Sequence, residues 1–190
     1  MKYFLLFILV MLCLCKAQCQ ITDYLVTLSH DTIYGHIRYA YGRASALVNE
    51  QDSYPIDENH IESYYLSERN MLLRRKKPPG KDHFSFLTCV ELGRINLYED
   101  DVAVSVLGNP SLGPDIVTIT YYAEKGSDPL TEVWTNQGVL GSMNKRQKAV
   151  LRDLISDNRD LAKTLLQDKH YEAIDVQYYI HQYNQTDMAH

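Results

Sequence analysis

The stretch HDTIYGHI, residues 30–37, places two histidines and an aspartate within seven positions. Imidazole and carboxylate groups serve as metal ligands and as acid–base pairs, so this is the first place to look for chemistry. A metal site would need a third ligand, which the spacing does not indicate. Asp31 can bond to its own backbone, and His30 tolerates positive φ better than most residues. We therefore expect a turn at Ser29, His30 and Asp31, with His36 on the strand that follows.

Strands are predicted on both sides of this turn, because apolar and polar residues alternate in residues 24–28 and 33–37. The pattern weakens in residues 44–55, which we interpret as a loop or a short strand. The alternation predicts further strands at residues 60–69, 70–75, 84–92, from 95 onward, 116–123 and 130–135. Turns are expected at residues 93–94 and 125–129, where glycine occurs. The 15 tyrosines, against four Phe and one Trp, suit half-buried strands.

The hydrophobic period changes to that of helices after Met143. Asn144 is the expected N-cap of the first helix, and Asp157 or Asn158 that of the second. The three predicted apolar stripes are Val150, Leu151, Leu154 and Ile155; Leu161, Ala162, Leu165 and Leu166; and Ile174, Tyr178 and His181, with Val176, Ile180 and Tyr183 beside them. Helices this short must bury such stripes against the sheet or each other.

These patterns predict an α+β protein: an antiparallel β-rich body, either a sheet or a partly open barrel, followed by two or three short C-terminal helices. We place the signal peptide at residues 1–19 and the β body at 20–138. The helical segment packed on the body occupies residues 139–185, and residues 186–190 form a frayed tail.

The leader MKYFLLFILVMLCLCKAQCQ has Lys2, then thirteen uncharged apolar residues, then Lys16. A spanning helix needs about 20, so a secretory signal is favoured over an uncleaved anchor. Cleavage is expected after Ala17 or Cys19. Lipidation of Cys19 is a less favoured alternative, since Lys16 stands where an aliphatic residue is expected. The predicted location is therefore outside the cytoplasm, in the periplasm or at the cell surface, with no transmembrane span once the leader is removed.

Charge and cysteine content exclude several functions. Loss of the leader leaves 17 Lys and Arg against 24 Asp and Glu, a net charge of −7, which gives no reason to bind nucleic acid or an anionic membrane. If cleavage follows Cys19, the one remaining thiol is Cys89, which then cannot form an internal disulfide or a cysteine metal cluster, and we expect it to be a buried structural thiol. No catalytic, cofactor or metal residue is assigned, because the chain lacks the nucleophile-elbow, zinc and phosphate-loop motifs.

A basic run precedes and follows the break at Pro78-Pro79-Gly80. It is either a solvated connection or a contact for an anionic polysaccharide or lipid head group. Its members are Arg74, Arg75, Lys76, Lys77 and Lys81.

The stretches YLVTLSHDTIYGHI, FLTCVELGRINLY, YYAEKG, LRDLISDNRDLAKTL and YIHQYN, in this order, resemble a family of exported Bacteroidota envelope proteins of unknown function. That family has an aromatic-led strand before a Gly-Asp-Thr turn, helices around a Ser-Asp-Cys-Pro-Glu-Leu-Ala motif and a terminal Tyr-Asn. Here His30 replaces the turn glycine, Leu92 a turn aspartate, and Asn158-Arg159 the Cys-Pro pair. The resemblance spans nearly the whole chain after the leader. It implies export, a β-rich body and C-terminal helices, and it transfers no catalytic residue.

The leading functional hypothesis is a non-catalytic envelope module that binds an envelope protein or glycan, or supports an assembly. The alternative is a hydrolase acting on an envelope or glycan substrate, with dispersed carboxylates converging on a histidine. Its candidate carboxylates are Glu58, Glu62, Asp100 and Asp101.

Two modification sites are also suggested by short patterns. Thr32 follows Asp31 and precedes an apolar residue, which is similar to the O-glycan acceptor pattern of such envelopes. Asn184 begins an Asn-Gln-Thr sequon, which is informative only for a eukaryotic source.

Overall fold

A computed structural model describes the protein over residues 22–40, 43–48, 53–104, 116–136, 142–169 and 171–186. The predicted leader and the last residues of the predicted tail, 187–190, lie outside the described residues. The strands are β1 Tyr24–Thr27, β2 Thr32–Tyr34, β3 His36–Ala40, β4 Arg43–Val48, β5 Ser53–Pro55, β6 Ile61–Leu66, β7 Met71–Lys76, β8 Ser85–Glu91, β9 Ile95–Val104, β10 Ile116–Lys125 and β11 Thr131–Thr135. The helices are α1 Ser142–Leu154, α2 Arg159–Gln167 and α3 Ala173–Gln185, and two 3-10 turns, Glu58–His60 and Ser67–Arg69, flank β6.

Eight strands form one large antiparallel sheet in the order β11-β10-β9-β8-β7-β6-β1-β2. The other three form a small sheet in the order β3-β4-β5. The large sheet is not closed, since β11 and β2 each have one neighbour in this order. The predicted α+β class, with an antiparallel β-rich body followed by C-terminal helices, is confirmed.

The small sheet and the helices both pack on one face of the large sheet. Strand register places Leu25, Tyr64, Leu73, Thr88, Glu99 and Tyr121 side by side on this face. Toward β2 the small sheet covers it, and Ile37, Ala44 and Leu47 pack on Leu25, Tyr64 and Leu73. Toward β11 the helices cover it, and Leu151, Ile155, Leu165, Val176, Tyr179, Ile180 and Tyr183 pack on Ile95, Leu97 and Val133. We call this the covered face.

The chain passes from the large sheet to the small one at Gly35. The sequence predicted a single return strand through residues 33–37, and this is wrong because β2 ends before Gly35 and β3 begins after it. A Cβ at Gly35 would lie 2.8 Å from the Val48 carbonyl oxygen and 3.0 Å from Leu47 Cγ. Only glycine therefore lets the backbone approach β4 this closely.

The small sheet was only partly predicted. Residues 44–55 were expected to form a loop or a short strand, whereas β4 and β5 occupy most of this segment and pair with β3. β4 buries Ala44 and Leu47, which lie three positions apart because its pairing with β3 is irregular, so the strand gives no strict alternation.

The helix predictions differ from the structure in two details. α1 begins at Ser142, so Asn144 lies inside the helix and is not its N-cap. In α3 the stripe Ile174, Tyr178 and His181 is exposed, and the buried face is formed by Val176, Tyr179, Ile180 and Tyr183. The cap of α2 is confirmed as Asn158, whose Oδ1 accepts from the Leu161 N–H at 3.1 Å.

Candidate functional site

An apolar cavity of about 500 Å³ lies between the two sheets at the β2 end. Its volume falls within the range of about 300–1,000 Å³ that is usual for ligand sites. The lining combines an apolar body with a few polar groups at one side, as ligand sites do. The lining residues are Leu25, Thr27, Ile33, Leu47, Pro55, Ile56, Asp57, His60 and Ile61. We call this space the intersheet cavity.

The strands of the large sheet supply one wall. Leu25 lies opposite Ile33 on β2, so both side chains point to the covered face. Thr27 lies opposite Ile61, and Val26 lies opposite Ser63, which leaves one extra residue on β6. This bulge places Ile61 on the cavity side although the simple alternation of β6 would not.

The polar side of the cavity is the 3-10 turn before β6. Asp57 is the N-cap of this turn, and its Oδ1 accepts from the Asn59 N–H at 2.9 Å. Its Oδ2 lies 2.8 Å from His60 Nδ1. The Asn59 N–H, with the His60 ring second, lowers the pKa of Asp57 below its usual value. Because an ionised carboxylate only accepts, His60 Nδ1 is the donor of this hydrogen bond.

The Thr27 hydroxyl, which lines the cavity, is not positioned as a nucleophile. Thr27 Oγ1 lies 2.8 Å from Ser29 Oγ and accepts from the Asp31 N–H at 3.1 Å. Its hydrogen bonds thus stabilise the β1–β2 turn, and none connects it to His60. The geometry suits binding rather than acyl transfer.

The histidines and aspartate of the opening stretch are not gathered at one site. His30 Nδ1 lies 2.9 Å from Glu62 Oε2, whereas His36 Nδ1 lies 3.4 Å from an oxygen of Asp23. Asp31 accepts from the Ser29 hydroxyl at 2.7 Å. His30 has φ 65°, so the predicted turn with a left-handed histidine is confirmed.

Asp23, which the sequence did not single out, joins the two sheets. Its side chain is buried and accepts from the Ile37 N–H at 2.8 Å, the Ser67 N–H at 2.7 Å and the Ser67 hydroxyl at 2.6 Å. Burial alone would raise the pKa of Asp23, but these hydrogen bonds outweigh it and the pKa is lowered. Together with His36 and Arg38 it lines a second cleft of about 270 Å³.

The basic run does not form one surface. Lys76 Nζ donates to Glu124 Oε2 at 2.6 Å, and Lys81 Nζ donates to Asp100 Oδ2 at 2.8 Å. Both ion pairs are more than half withdrawn from solvent. These two lysines are therefore already paired within the protein.

The other members of the run point in different directions. Arg75 stacks its guanidinium 3.8 Å from the centre of the Phe84 ring. Arg74 is half-buried on the neighbouring position of β7, and Lys77 is exposed after the strand ends. Successive side chains of a strand alternate between faces, which separates Arg75 from Arg74 and Lys76.

The carboxylates of the hydrolase hypothesis lie on two separate parts of the large sheet. Glu58 lies in the 3-10 turn before β6, and Glu62 lies on β6 and pairs with His30. Asp100 and Asp101 are neighbours on β9, so their side chains point to opposite faces. They do not converge on one histidine.

Cys89 is half-buried beside Leu87, Tyr98 and Tyr122, on the face away from the helices. Burial raises the pKa of its thiol to about 11, although the charges of Arg74 and Lys76 act in the opposite direction. A thiol held neutral in this way is a poor nucleophile, although Cys89 is less buried than the sequence predicted.

The side-chain amide of Asn184, the sequon asparagine, forms tertiary hydrogen bonds through both its nitrogen and its oxygen. Its Nδ2 donates to Glu91 Oε1 at 2.8 Å and to the Ile95 carbonyl at 2.9 Å, and its Oδ1 accepts from the Ile95 N–H at 3.0 Å. A Cβ at Gly93 would lie 2.5 Å from Asn184 Cγ, so the β8–β9 turn closes directly on this side chain. Asn184 of the Tyr183-Asn184 pair thus attaches α3 to the sheet.

A third cavity, of about 430 Å³, lies where α1 meets the edge strand β11. Gln147 lines it, is 4% exposed and donates to Glu132 Oε1 at 3.2 Å. Its other lining residues are half apolar and half polar: Pro79, Leu130 and Val150, with Thr131, Glu132 and Arg146.

The sequence missed the intersheet cavity for a physical reason. Its lining comes from five strands and one 3-10 turn spread over residues 25–61, and two of these strands, β4 and β5, lie in the segment with weak alternation. The available signal was the Asp-x-x-His spacing at residues 57–60, which a single turn brings together.

No family model matches the chain, and no significant match was found among the curated proteins or the solved structures. Across the six described segments, no three His, Cys, Asp or Glu side chains are grouped in a way that could hold a metal ion. None of the helices in the described part of the chain combines the length and the apolar character that crossing a membrane requires.

Proposed function

We propose that this protein is an exported envelope protein that acts without catalysis, as a binding module whose partner places an apolar group in the intersheet cavity. The observation that carries the proposal is the cavity itself: about 500 Å³ of space lined by five aliphatic side chains, with Asp57 and His60 at one side. The space is open to solvent at exposed Ile33, Asp57 and His60, and its size and mostly apolar lining suit a ligand.

Export is supported by the leader and by the resemblance to exported Bacteroidota envelope proteins. Its test is independent of binding: the N-terminus of the protein recovered from cell fractions should begin after Ala17 or Cys19. A cytoplasmic protein that keeps residues 1–19 would contradict this part of the proposal. An intact mass of the same material also tests Thr32, since an O-glycan adds mass and the unmodified value excludes it.

Binding is tested with a neutral apolar fluorophore, N-phenyl-1-naphthylamine, whose emission rises in apolar surroundings. Titration of the full chain should give a saturable signal. Ile33→Asp places a charge on the cavity wall and should weaken probe binding about tenfold or more, because an unpaired charge is costly in apolar surroundings.

Leu92→Asp is the matched control. Leu92 is 45% exposed and Ile33 41%, but Leu92 lies in the β8–β9 turn, away from the cavity. The control should bind the probe as the unchanged protein does. An equal loss in both variants, or no saturable signal at all, would remove the cavity as the binding site.

A further inference from the structure

The hydrogen-bond register of β2 shows which of its backbone groups face outward. The Gly35 N–H donates to the Asp23 carbonyl at 3.1 Å, and these two residues pair in the same register as Ile33 and Leu25. Hydrogen-bonded pairs alternate along an antiparallel ladder, so the pair two residues away is also hydrogen-bonded. Ile33 therefore directs its N–H and C=O toward β1, and its two neighbours direct theirs away from the sheet.

These neighbours, Thr32 and Tyr34, present an unpaired strand edge. In the described part of the chain their outward N–H and C=O groups have no hydrogen-bond partner, and β2 pairs only with β1. All three residues of β2 are exposed, with Tyr34 at 65%. An edge of this kind is a template for another extended chain, because only a peptide backbone offers donors and acceptors at the same spacing.

The side-chain register links this edge to the intersheet cavity. A residue of an added antiparallel strand opposite Ile33 would form a non-hydrogen-bonded pair, in which side chains approach most closely. Paired residues share a face, so this residue would lie on the covered face, beside Ile33 and Leu25 at the cavity. The cavity thus selects an apolar residue at this one position.

On the other face, the two flanking residues of the added strand would extend a row of tyrosines. The Tyr24 ring lies 6.0 Å from that of Tyr34 and 5.3 Å from that of Tyr65. Such a row accepts β-branched or amphipathic side chains.

The charges around this edge favour basic residues at the ends of the added segment. Asp31, Asp57, Glu58 and Glu62 lie on the segments that border β2 and the cavity. Residues 24–34 and 55–62 contain no Lys or Arg. Complementary charge would steer a basic segment to this site.

We infer that the partner of the intersheet cavity is an extended protein segment that adds a strand to β2, inserts an apolar side chain opposite Ile33 and carries Lys or Arg on its flanks. This inference rests on the proposed function, because it takes the cavity as the binding site. It goes further in naming the partner as a peptide strand.

The first test uses a capped, fluorescein-labelled peptide of seven residues: a central isoleucine, a threonine on each side, and lysines and serines beyond. Fluorescence anisotropy should show binding to the full chain, and added salt should weaken it. A second peptide has the same sequence but N-methyl groups on the two threonines, which face Thr32 and Tyr34 in the proposed register. Loss of two donors should weaken its binding about tenfold. Equal binding of both peptides would overturn the inference.

The second test changes the protein. Thr32→Pro removes the outward N–H and leaves the pairing of β2 with β1 intact, since that N–H does not point to β1. Its matched control, Thr32→Val, keeps the N–H. Peptide binding should fall about fivefold in the proline variant and stay within about twofold in the valine variant. Equal circular dichroism spectra and thermal midpoints establish that both fold, and the N-methyl peptide remains decisive if the proline variant does not.

The outcomes separate the two proposals. Saturable binding of N-phenyl-1-naphthylamine without peptide binding would leave the proposed function standing and overturn the strand inference. Failure of both probes would overturn both. If sedimentation shows a dimer that Thr32→Pro dissociates, the edge is occupied by a second copy of the chain, and the inference of a separate basic partner is wrong.

Discussion

The covered face of the large sheet meets helices at one end and a small sheet at the other, and the two ends pack differently. Beneath the helices, thirteen buried residues of the described chain form one cluster, among them four tyrosines. Beneath the small sheet the corresponding cluster has eight. β3, β4 and β5 have five, six and three residues, and the intersheet cavity lies between this small sheet and the β1–β2 hairpin.

From this contrast we infer that the helical end stabilises the fold and that the small-sheet end binds the partner. The helical end contains long side chains from three helices and a set of polar contacts that fix them to the sheet. At the small-sheet end, the apolar wall of the intersheet cavity and the outer edge of β2 are uncovered. We expect mutations at the helical end to change stability, and mutations at the cavity to change binding with less effect on stability.

The largest expected effect comes from truncating one buried leucine at each end of the sheet, which tests directly whether the two ends pack differently. Leu151 and Leu47 are 0% and 1% exposed, one in each cluster. Leu151→Ala should lower the free energy of unfolding by about 4 kcal/mol, and Leu47→Ala by about 2 kcal/mol, within the range for buried leucines. The difference arises because Leu47 already faces a cavity and loses contacts on fewer sides. Urea denaturation measures both, and equal losses would show that the cavity wall is packed as tightly as the helical core.

Most of the fold was predictable from local sequence patterns, and the small sheet was the main exception. Strands β8 to β11 have clear alternation and turn residues, β6 and β7 were predicted from weaker patterns, and α2 has its Asn158 cap. The small sheet depends on Gly35, where a tertiary contact with Val48 decides which sheet the chain joins. No local propensity encodes such a contact.

The candidate site was predictable only in fragments for the same reason. The sequence indicated the turn at His30 and the strand with Ile33, but the cavity requires β4 and the bulge at β6. Asp23 and Asn184 were not predicted as anchors, because single polar residues at strand or helix ends give no pattern until their partners are known.

Asp23→Asn tests the polar anchor of the small-sheet end. The isosteric amide loses the charge and places an NH₂ group among the donors of Ile37 and Ser67, so the free energy of unfolding should fall by about 3 kcal/mol. The folded pKa of Asp23 lies below 3.8, so its stabilisation is present above this pH and is lost as the pH falls through the folded pKa. Urea unfolding at a series of pH values should show the two proteins converging in acid. A constant difference at all pH values would exclude the charge as the cause.

Asn184→Ala tests the corresponding anchor at the helical end. It removes three hydrogen bonds to Glu91 and Ile95, and the expected loss is about 2 kcal/mol. Gln185→Ala, one position on and exposed, is the matched control and should change stability by less than about 0.5 kcal/mol. Probe binding in the intersheet cavity should be the same in both variants. If Asn184→Ala weakened probe binding, the two ends of the sheet would be coupled.

The smallest effect compares one ion pair from each end. Asp157 contacts Lys125 at 2.9 Å, Arg94 at 3.0 Å and the Tyr183 hydroxyl at 2.6 Å, whereas the one ion pair of Glu62 within the described residues is with the exposed His30 ring. Burial opposes ionisation of Asp157, but these partners outweigh it and lower its pKa to about 2. Because its carboxylate is 46% exposed, solvent screens the gain, and Asp157→Asn should cost about 1 kcal/mol.

The pH dependence of this pair follows from the direction of the shift. A carboxylate whose folded pKa lies below the unfolded value of 3.8 stabilises the fold above that pH and loses the effect as the pH falls toward 2. The deficit of Asp157→Asn should therefore be complete near neutral pH and vanish in strong acid, whereas Glu62→Gln should stay within about 0.5 kcal/mol of the unchanged protein throughout. A larger cost for Glu62→Gln would mean that the hairpin beside the cavity is held by charge, and that β2 is more firmly fixed than an uncovered binding edge requires.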